Sequence, residues 1–328
     1  MDDTDRKLLI LIGENPRIHF RELAKKLGIS RQAVHHRVQV LTKVGVIKGA
    51  HAGVSIPYLD AVTVAVWGRS KIVTFDETLD RLGESEFTRR VVVAGGNYLY
   101  VIGFLRKISE LDGYAEFVRR VAEMPEPMVG IYCLDDGLMP YTVDGTSKRK
   151  ESYRELSPLD LKIITSLKDD ARRPIAEIAK SVGVSTKTAR RHLENMLADG
   201  SMEFNMPVDL GSGGDLFLIM HMELRDGADR RVVGRSLLAK HYFRDQYIRT
   251  YSNYPGLLMW VFWSNDINLV RKALKETEHR DDVKSVMLNF AYQERIYYNT
   301  WRDRLPEVQS ATTRAGRSHP GGRIVKTE

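Results

Sequence analysis

Cysteine is nearly missing from this chain: Cys133 is the only one in 328 residues. A single thiol can assemble neither an internal disulfide framework nor a thiolate zinc cage. Its neighbours Ile131, Tyr132 and Leu134 are apolar, so Cys133 reads as a strand residue rather than a nucleophile. Long apolar runs are missing too. None approaches the roughly 20 residues that span a bilayer, and no membrane partner is expected. The first residues, with Asp2, Asp3 and Asp5, have neither the basic segment nor the apolar core of a secretory leader, which points to the cytoplasm. Histidine is scarce and poorly spaced for metal. His35 and His36 are adjacent and diverge by about 100° on a helix, so they cannot share an ion as an i, i+4 pair would, and no metal site is assigned. Gly211-Ser212-Gly213-Gly214 lacks the lysine and hydroxyl residue of a phosphate loop and reads as a connector.

What is present is positive charge and repetition. The net charge of +7 favours a polyanionic partner, and 43% hydrophobic residues are enough for several cores. Asp5, Lys7, Arg17, Glu22, Ala24, Lys25, Gly28, Ser30 and Gly45 recur without a gap as Asp160, Lys162, Arg172, Glu177, Ala179, Lys180, Gly183, Ser185 and Gly200. Apolar positions recur with them, Leu8, Leu23, Val38 and Leu41 falling on Ile163, Ile178, Leu193 and Met196. One domain type is therefore expected twice.

In each copy the apolar spacing follows the helical period three times, as in Leu8, Leu9 and Ile12, then Phe20, Leu23 and Leu27, then Val34, Val38 and Leu41. Leu27-Gly28-Ile29-Ser30 and Val182-Gly183-Val184-Ser185 join the second and third helices. A glycine stops one helix, an apolar residue plugs the corner and a serine caps the next, which is the helix-turn-helix pattern. Gly45 to Gly49 and Gly200 to Phe204 then read as turns into a β-hairpin wing.

After each module the pattern is strand, helix, strand, strand, helix, strand, the order of a ferredoxin-like unit. In the first copy strands are predicted at 61–69, 88–95, 98–106 and 128–134, with helices near 75–84 and 108–123. In the second they fall at 215–224, 246–253, 257–264 and 283–291, with helices near 229–241 and 268–279. The expected class is α+β, two winged helix-turn-helix modules (1–52 and 156–208) alternating with two ferredoxin-like domains (58–142 and 215–305). A linker at 143–155 separates the copies, a closing helix is expected over Gln293 to Leu305, and a disordered basic tail over 306–328.

Asp5-Arg6-Lys7-Leu8-Leu9, the run Glu22 to Ser30, Val34 with Val38 and Leu41, and Gly45-Val46-Ile47-Lys48 make the chain resemble the Lrp/AsnC family of prokaryotic regulators. Members join a winged helix-turn-helix to a ferredoxin-like effector domain, often called RAM, through which they dimerise. The resemblance implies a cytoplasmic, nucleoid-associated regulator whose partner is double-stranded DNA, and duplication suggests that the pair forms within one chain. It also implies a small-molecule effector near the central hairpins, at Gly96, Asn97, Tyr98, Tyr100, Gly256 and Trp260. The family commonly carries a glycine, two residues and an aspartate there. Here Leu99 and Met259 stand in place of the aspartate, so an apolar or aromatic ligand, or none, is expected rather than a free amino acid.

With Val34, Val38 and Leu41 inward, the third helix turns out Arg31, Gln32, His35, His36 and Gln39, and Lys48 follows in the wing. Arginine and glutamine can grip guanine and adenine edges through paired hydrogen bonds. The second copy turns out Thr186, Lys187, Arg190 and Arg191, which suits phosphates better than bases, and its wing offers Glu203 in place of a cation. No catalytic residue and no cofactor is assigned. A competing reading is an enzyme of the same architecture, a siroheme decarboxylase, for which Arg89, Arg90, Arg249 and His241 are the available cations. A third is an oligomerising co-regulator.

Overall fold

The computed structural model describes residues 1–133, 138, 153–207, 209, 216–241 and 244–305. Most of the predicted linker, the Gly211 to Gly214 stretch and the predicted tail lie outside the described residues. No helix among the described residues is long and apolar enough to cross a membrane.

Three helices open each copy: α1 (Asp3–Glu14), α2 (Phe20–Leu27) and α3 (Arg31–Lys43) in the first, α6 (Pro158–Leu167), α7 (Ile175–Val182) and α8 (Thr186–Asp199) in the second. Their starts are chemically marked. Asp2 with Asp5 and Ser157 with Asp160 form reciprocal capping boxes that satisfy amides the helix cannot. Gly28 and Gly183 end α2 and α7 at φ +67° and +77°, a left-handed turn that favours glycine. Ser30 and Ser185 then accept the amides of Ala33 and Thr188 at 3.1 Å. Leu8, Ile12, Leu23 and Val34 fill one module, and Ile163, Leu167, Ile178 and Met196 the other.

Among the described residues, neither predicted wing is a hairpin within its own module. Instead β1 (His51–Val54) of the first copy pairs antiparallel with β6 (Met202–Asn205) of the second, His51 opposite Asn205 and Val54 opposite Met202. The contact continues beyond β6, where Asp209 donates its amide to Val46 O at 2.9 Å. Each module contributes one short strand to this pair, so each strand finds its partner in the other module.

The two ferredoxin-like units follow: β2 (Val62–Arg69), α4 (Asp76–Gly83), β3 (Thr88–Ala94), β4 (Tyr98–Leu105), α5 (Leu111–Val121) and β5 (Met128–Ile131); then β7 (Leu216–Leu224), α9 (Arg230–Lys240), β8 (Arg244–Thr250), β9 (Leu257–Ser264), α10 (Ile267–Glu278) and β10 (Val283–Ile296). They form one eight-stranded sheet in the order β5-β2-β4-β3-β10-β7-β9-β8. Its two outer strands also meet: Tyr132 bridges Tyr251, and Cys133 donates its amide to Thr250 O at 2.9 Å. The sheet thereby closes on itself. Helices α4 and α5 cover the outer face of the first unit over Val64, Val91, Leu99 and Val101, and α9 and α10 that of the second over Met220, Leu258, Trp260 and Phe262. The inner faces meet through Trp67, Tyr100, Ile219, Tyr251 and Met259.

The predicted closing helix is corrected by β10. Residues Gln293 to Ile296 are extended and pair with Val93 to Arg90 of β3, while Val283 to Ala291 pair with β7. Strand β3 would otherwise present unpaired amides and carbonyls at an edge, and an incoming segment satisfies them best as a strand. Among the described residues after β10, helix occurs at 301–305. That turn packs on the first half as expected: Trp301 Nε1 donates to Phe104 O at 2.7 Å, and Arg302 Nε to Val54 O at 2.6 Å.

Candidate nucleic-acid interface and interior cavity

On α3, Val34 and Leu41 are buried while Arg31, Gln32, His35, His36 and Gln39 are all exposed. Arg37 is turned inward and paired with Asp2 at 2.7 Å and Asp5 at 2.6 Å, so it fastens α3 to α1 instead of facing outward. On α8, Ala189, Leu193 and Met196 are buried and Thr186, Lys187, Arg190 and Arg191 exposed. Here the fastening runs from His192 Nδ1 to Asp160 at 2.8 Å, with Arg154 on the same carboxylate at 2.7 Å. Burial pushes the Asp160 carboxyl up, but its bonds to Arg154, Ser157 and His192 outweigh burial and hold it down at about 2. Lys48 stands beside Asp209 at 3.0 Å. Glu203 does not face outward: it is buried on Arg302 at 2.6 Å.

Between the two half-sheets is a cavity of about 30 Å³ lined by Arg90, Arg249, Tyr100, Tyr132 and Tyr247 with apolar residues that include Met259. Arg90 pairs with Glu294 at 2.9 Å, and the Arg249 guanidinium lies 4.6 Å from the Tyr132 ring centre and 4.9 Å from that of Tyr247. Nearby, Tyr100 Oη is 2.7 Å from His221 Nε2 and accepts from Asn289 Nδ2 at 2.5 Å, which links the two halves through a buried polar group. Burial pushes the Tyr100 phenol up and the His221 imidazole down to about 4, so both are neutral at physiological pH. No cluster of metal-ligating side chains occurs among the described residues.

A family model for winged helix-turn-helix DNA-binding domains matches residues 1–48 and 156–200, the two three-helix modules. The HTH-type transcriptional regulator Ptr1 of Methanocaldococcus jannaschii is 33% identical over 133 residues, which cover 40% of this chain and 86% of that protein. The chain belongs to the Lrp/AsnC family. The HTH-type transcriptional regulator LrpA of Pyrococcus horikoshii is 31% identical over 100 residues, 30% of this chain and 71% of its own. A solved structure similar over almost the whole chain is that of the siroheme decarboxylase NirDL, with a TM-score of 0.54, 15% identity and coverage of 97% of this chain and 100% of that one. At that identity the likeness concerns the fold.

Within this Lrp/AsnC framework the predicted effector residues do not all come together. Tyr98 and Tyr100 are neighbours on the inner face, their rings 5.3 Å apart. Gly96 and Asn97 form the tip of the β3–β4 hairpin, both with positive φ, and Gly256 lies at the opposite hairpin. Trp260 is on the other face of its strand, in the core under α9 and α10, 5.4 Å from the His241 ring. The same parity separates Leu99, in the outer core of the first unit, from Met259, on the inner face. Matching the two hairpins by their glycines shifts the strands by one residue, and one residue reverses the face of every side chain. Of the cations weighed for an enzyme, Arg90 and Arg249 line the cavity. Arg89 lies instead under the C-terminal turn, donating to Tyr297 O at 2.8 Å. Sequence reasoning missed His221, Tyr132 and Tyr247 as inner-face residues, although the two-residue repeat of side-chain direction along β7 and β8 places the first and the last.

Proposed function

We propose that this chain is a sequence-specific DNA-binding transcriptional regulator in which two helix-turn-helix modules are carried by a pseudo-dimer formed within one chain. The observation that carries the reading is the pair of recognition faces: five polar side chains on α3 and four on α8 stand exposed on capped helices whose other sides are buried. Arg31 and Gln32 at the start of α3 are the base readers, and Thr186, Lys187, Arg190 and Arg191 chiefly meet phosphates. The test is selection of bound duplexes from a random pool, repeated with Arg31→Ala and Gln32→Ala. A preferred sequence that loses definition in these variants supports the reading, and no preferred sequence with wild type sinks it. Intrachain pairing is supported by the β3–β10 and β1–β6 ladders. Sedimentation tests it, since a smallest species of four or more chains contradicts it.

The effector, in this reading, is an apolar or aromatic molecule or none; the inner-face cavity, about 30 Å³, would admit one only by opening. Two guanidiniums and no carboxylate occur among the described lining residues, so the ammonium of a free amino acid would meet like charge in a desolvated place. Titration with common amino acids at millimolar concentration is expected to give no calorimetric signal and no change in DNA affinity.

The likeness to NirDL favours one alternative, a siroheme decarboxylase. Against it, the cavity of about 30 Å³ is far below the roughly 300 Å³ at which ligand pockets begin. Titration with an iron tetrapyrrole, followed in the visible spectrum, decides between the two. A co-regulator that only oligomerises would respond to neither DNA nor tetrapyrrole.

A further inference from the structure

The cleft between the helix-turn-helix modules, about 1320 Å³, gathers cations from both. Arg17, Arg21, Lys25 and Arg31 enter it from the first module, Arg172 and Arg190 from the second, against only Glu22 and Glu194. Glu22 stands 3.9 Å from Lys26. Some arginines elsewhere are matched, Arg106 to Glu86 and Arg119 to Glu116, both at 2.7 Å, and Arg280 to Asp282 at the same distance. In the cleft, Arg21, Lys25, Arg31, Arg172 and Arg190 form no ion pair with a described residue.

The cleft is also built. Arg17 and Arg172 are equivalent positions of the repeat, and the first reaches across to the loop of the second. Arg17 Nη1 donates to Ala171 O at 2.6 Å and to Arg173 O at 2.9 Å. The Arg172 guanidinium is steadied by an aromatic face, 5.1 Å from the centre of Phe20. Burial makes the Arg17 cation less favourable than usual; Asp170 opposes this, and the like charges of Arg172 and Arg190 add to it more weakly. Like charges a few ångströms apart repel by about 1 kcal/mol even in bulk water. A surface that gathers them between two domains is complementary to a polyanion that replaces its counterions.

We propose that this cleft is a binding site for clustered phosphate groups, seated between the modules and sharing only Arg31 and Arg190 with the recognition faces. The phosphates have two sources, the duplex backbone crossing from one recognition helix to the other, or a free polyphosphate. Only the first rests on the DNA-binding reading.

The test uses the full chain with Arg21 and Arg172 both changed to glutamine, since neither lies on the exposed faces of α3 or α8. Two probes are used: a duplex from the random-pool selection, beside an unselected one, and inorganic tripolyphosphate in calorimetry at low salt. If the backbone is the ligand, the slope of log affinity against log salt falls by about 0.9 for each lost contact on both duplexes alike, with base preference unchanged. If a free polyphosphate is the ligand, the slope stays and tripolyphosphate binds wild type about tenfold or more better than the variant, a factor expected from two lost cations. The Arg21→Lys, Arg172→Lys variant restores whichever response was lost, which separates charge from folding. An unchanged slope together with tripolyphosphate binding that is absent or equal in both proteins overturns the proposal. Failure to select any duplex would count against the DNA reading and leaves the tripolyphosphate comparison to decide this one.

Discussion

Helices α3 and α8 are built alike and fastened differently. Both follow a left-handed glycine, start on a serine cap and lean on an aspartate at the third position of the first helix of their module. In the first module that aspartate, Asp5, holds Arg37; in the second, Asp160 holds His192 at the equivalent place and Arg154 as well. The Asp160 side chain is fully buried, whereas Asp5 is 15% exposed and its partner Arg37 29%. The module whose outer face is the richer in amides and imidazoles thus has the more solvated anchor, and the purely cationic module the more buried one. Local architecture was duplicated, while anchoring and display diverged.

Removing each anchor should widen this contrast. Asp160→Ala leaves Arg154 and His192 without their carboxylate and breaks the capping box. A loss of about 3 kcal/mol is expected in chemical denaturation, below the full range for a buried pair because Arg154 is partly solvated. Asp5→Ala should cost about 1 kcal/mol, as partly exposed pairs do. Equal losses would refute the difference in anchoring. The pH dependence follows with its sign. The Asp160 carboxyl is at about 2 in the fold against 3.8 ordinarily, so its stabilisation is complete above about pH 4 and disappears as pH falls towards 2.

The contrast extends to the inner face, where the first half supplies a phenol, Tyr100, and the second an imidazole, His221. Burial lowers His221 from 6.5 to about 4, so between these values the unfolded chain binds a proton that the folded chain refuses. Stability should therefore fall by roughly 3 kcal/mol as pH drops from about 6.5 to about 4. Changing His221 to glutamine, which keeps an amide within reach of Tyr100, should flatten denaturation midpoints across that window; an unchanged slope would remove His221 as the source.

A comparable effect is expected on DNA. Arg31→Ala and Gln32→Ala should each relax base preference by about 1 to 3 kcal/mol of discrimination, whereas Arg191→Ala should weaken selected and unselected duplexes alike. Loss of base preference from Arg191→Ala would erase the division of labour. The smallest effect should be symmetrical. Gly28→Ala and Gly183→Ala meet no neighbouring atom and suffer only from positive φ, so each should cost about 1 kcal/mol, and a marked inequality would mean that the two turns are not equivalent.

Nearly all of the helices and strands were legible because their signals are local: the three apolar periods, the Gly-Ile-Ser and Gly-Val-Ser corners, and the short apolar runs of β2, β4 and β7. What was not legible is what distant segments do to one another. Nothing in Gly45 to Gly49 announces that β1 will pair with β6, and Gln293 to Ile296 reads equally well as a helix until β3 is found to need a neighbour. The outward faces of α3 and α8 followed from counting around the helix. The inner-face cavity did not, because the hairpins after β3 and β8 differ in length: Ala94 is opposite Tyr98 in one, and Thr250 opposite Leu258 in the other. A match made on the turn glycines therefore put Trp260 and Leu99 on the wrong side.

Strand β10 has a bearing on how the chain is made. One fourteen-residue strand completes the second unit with its first part and the first unit with its last. On the ribosome, β3 emerges with the first half of the chain, but the residues that seal its edge come close to the end. At about 5 to 20 residues per second, that edge waits on the order of tens of seconds. Throughout that interval the nascent first half exposes Val91 to Ala94 as a template for any extended segment, including β10 of a second nascent chain on the same message. Productive folding therefore includes a competition for the β3 edge between the chain's own β10 and that of a neighbour.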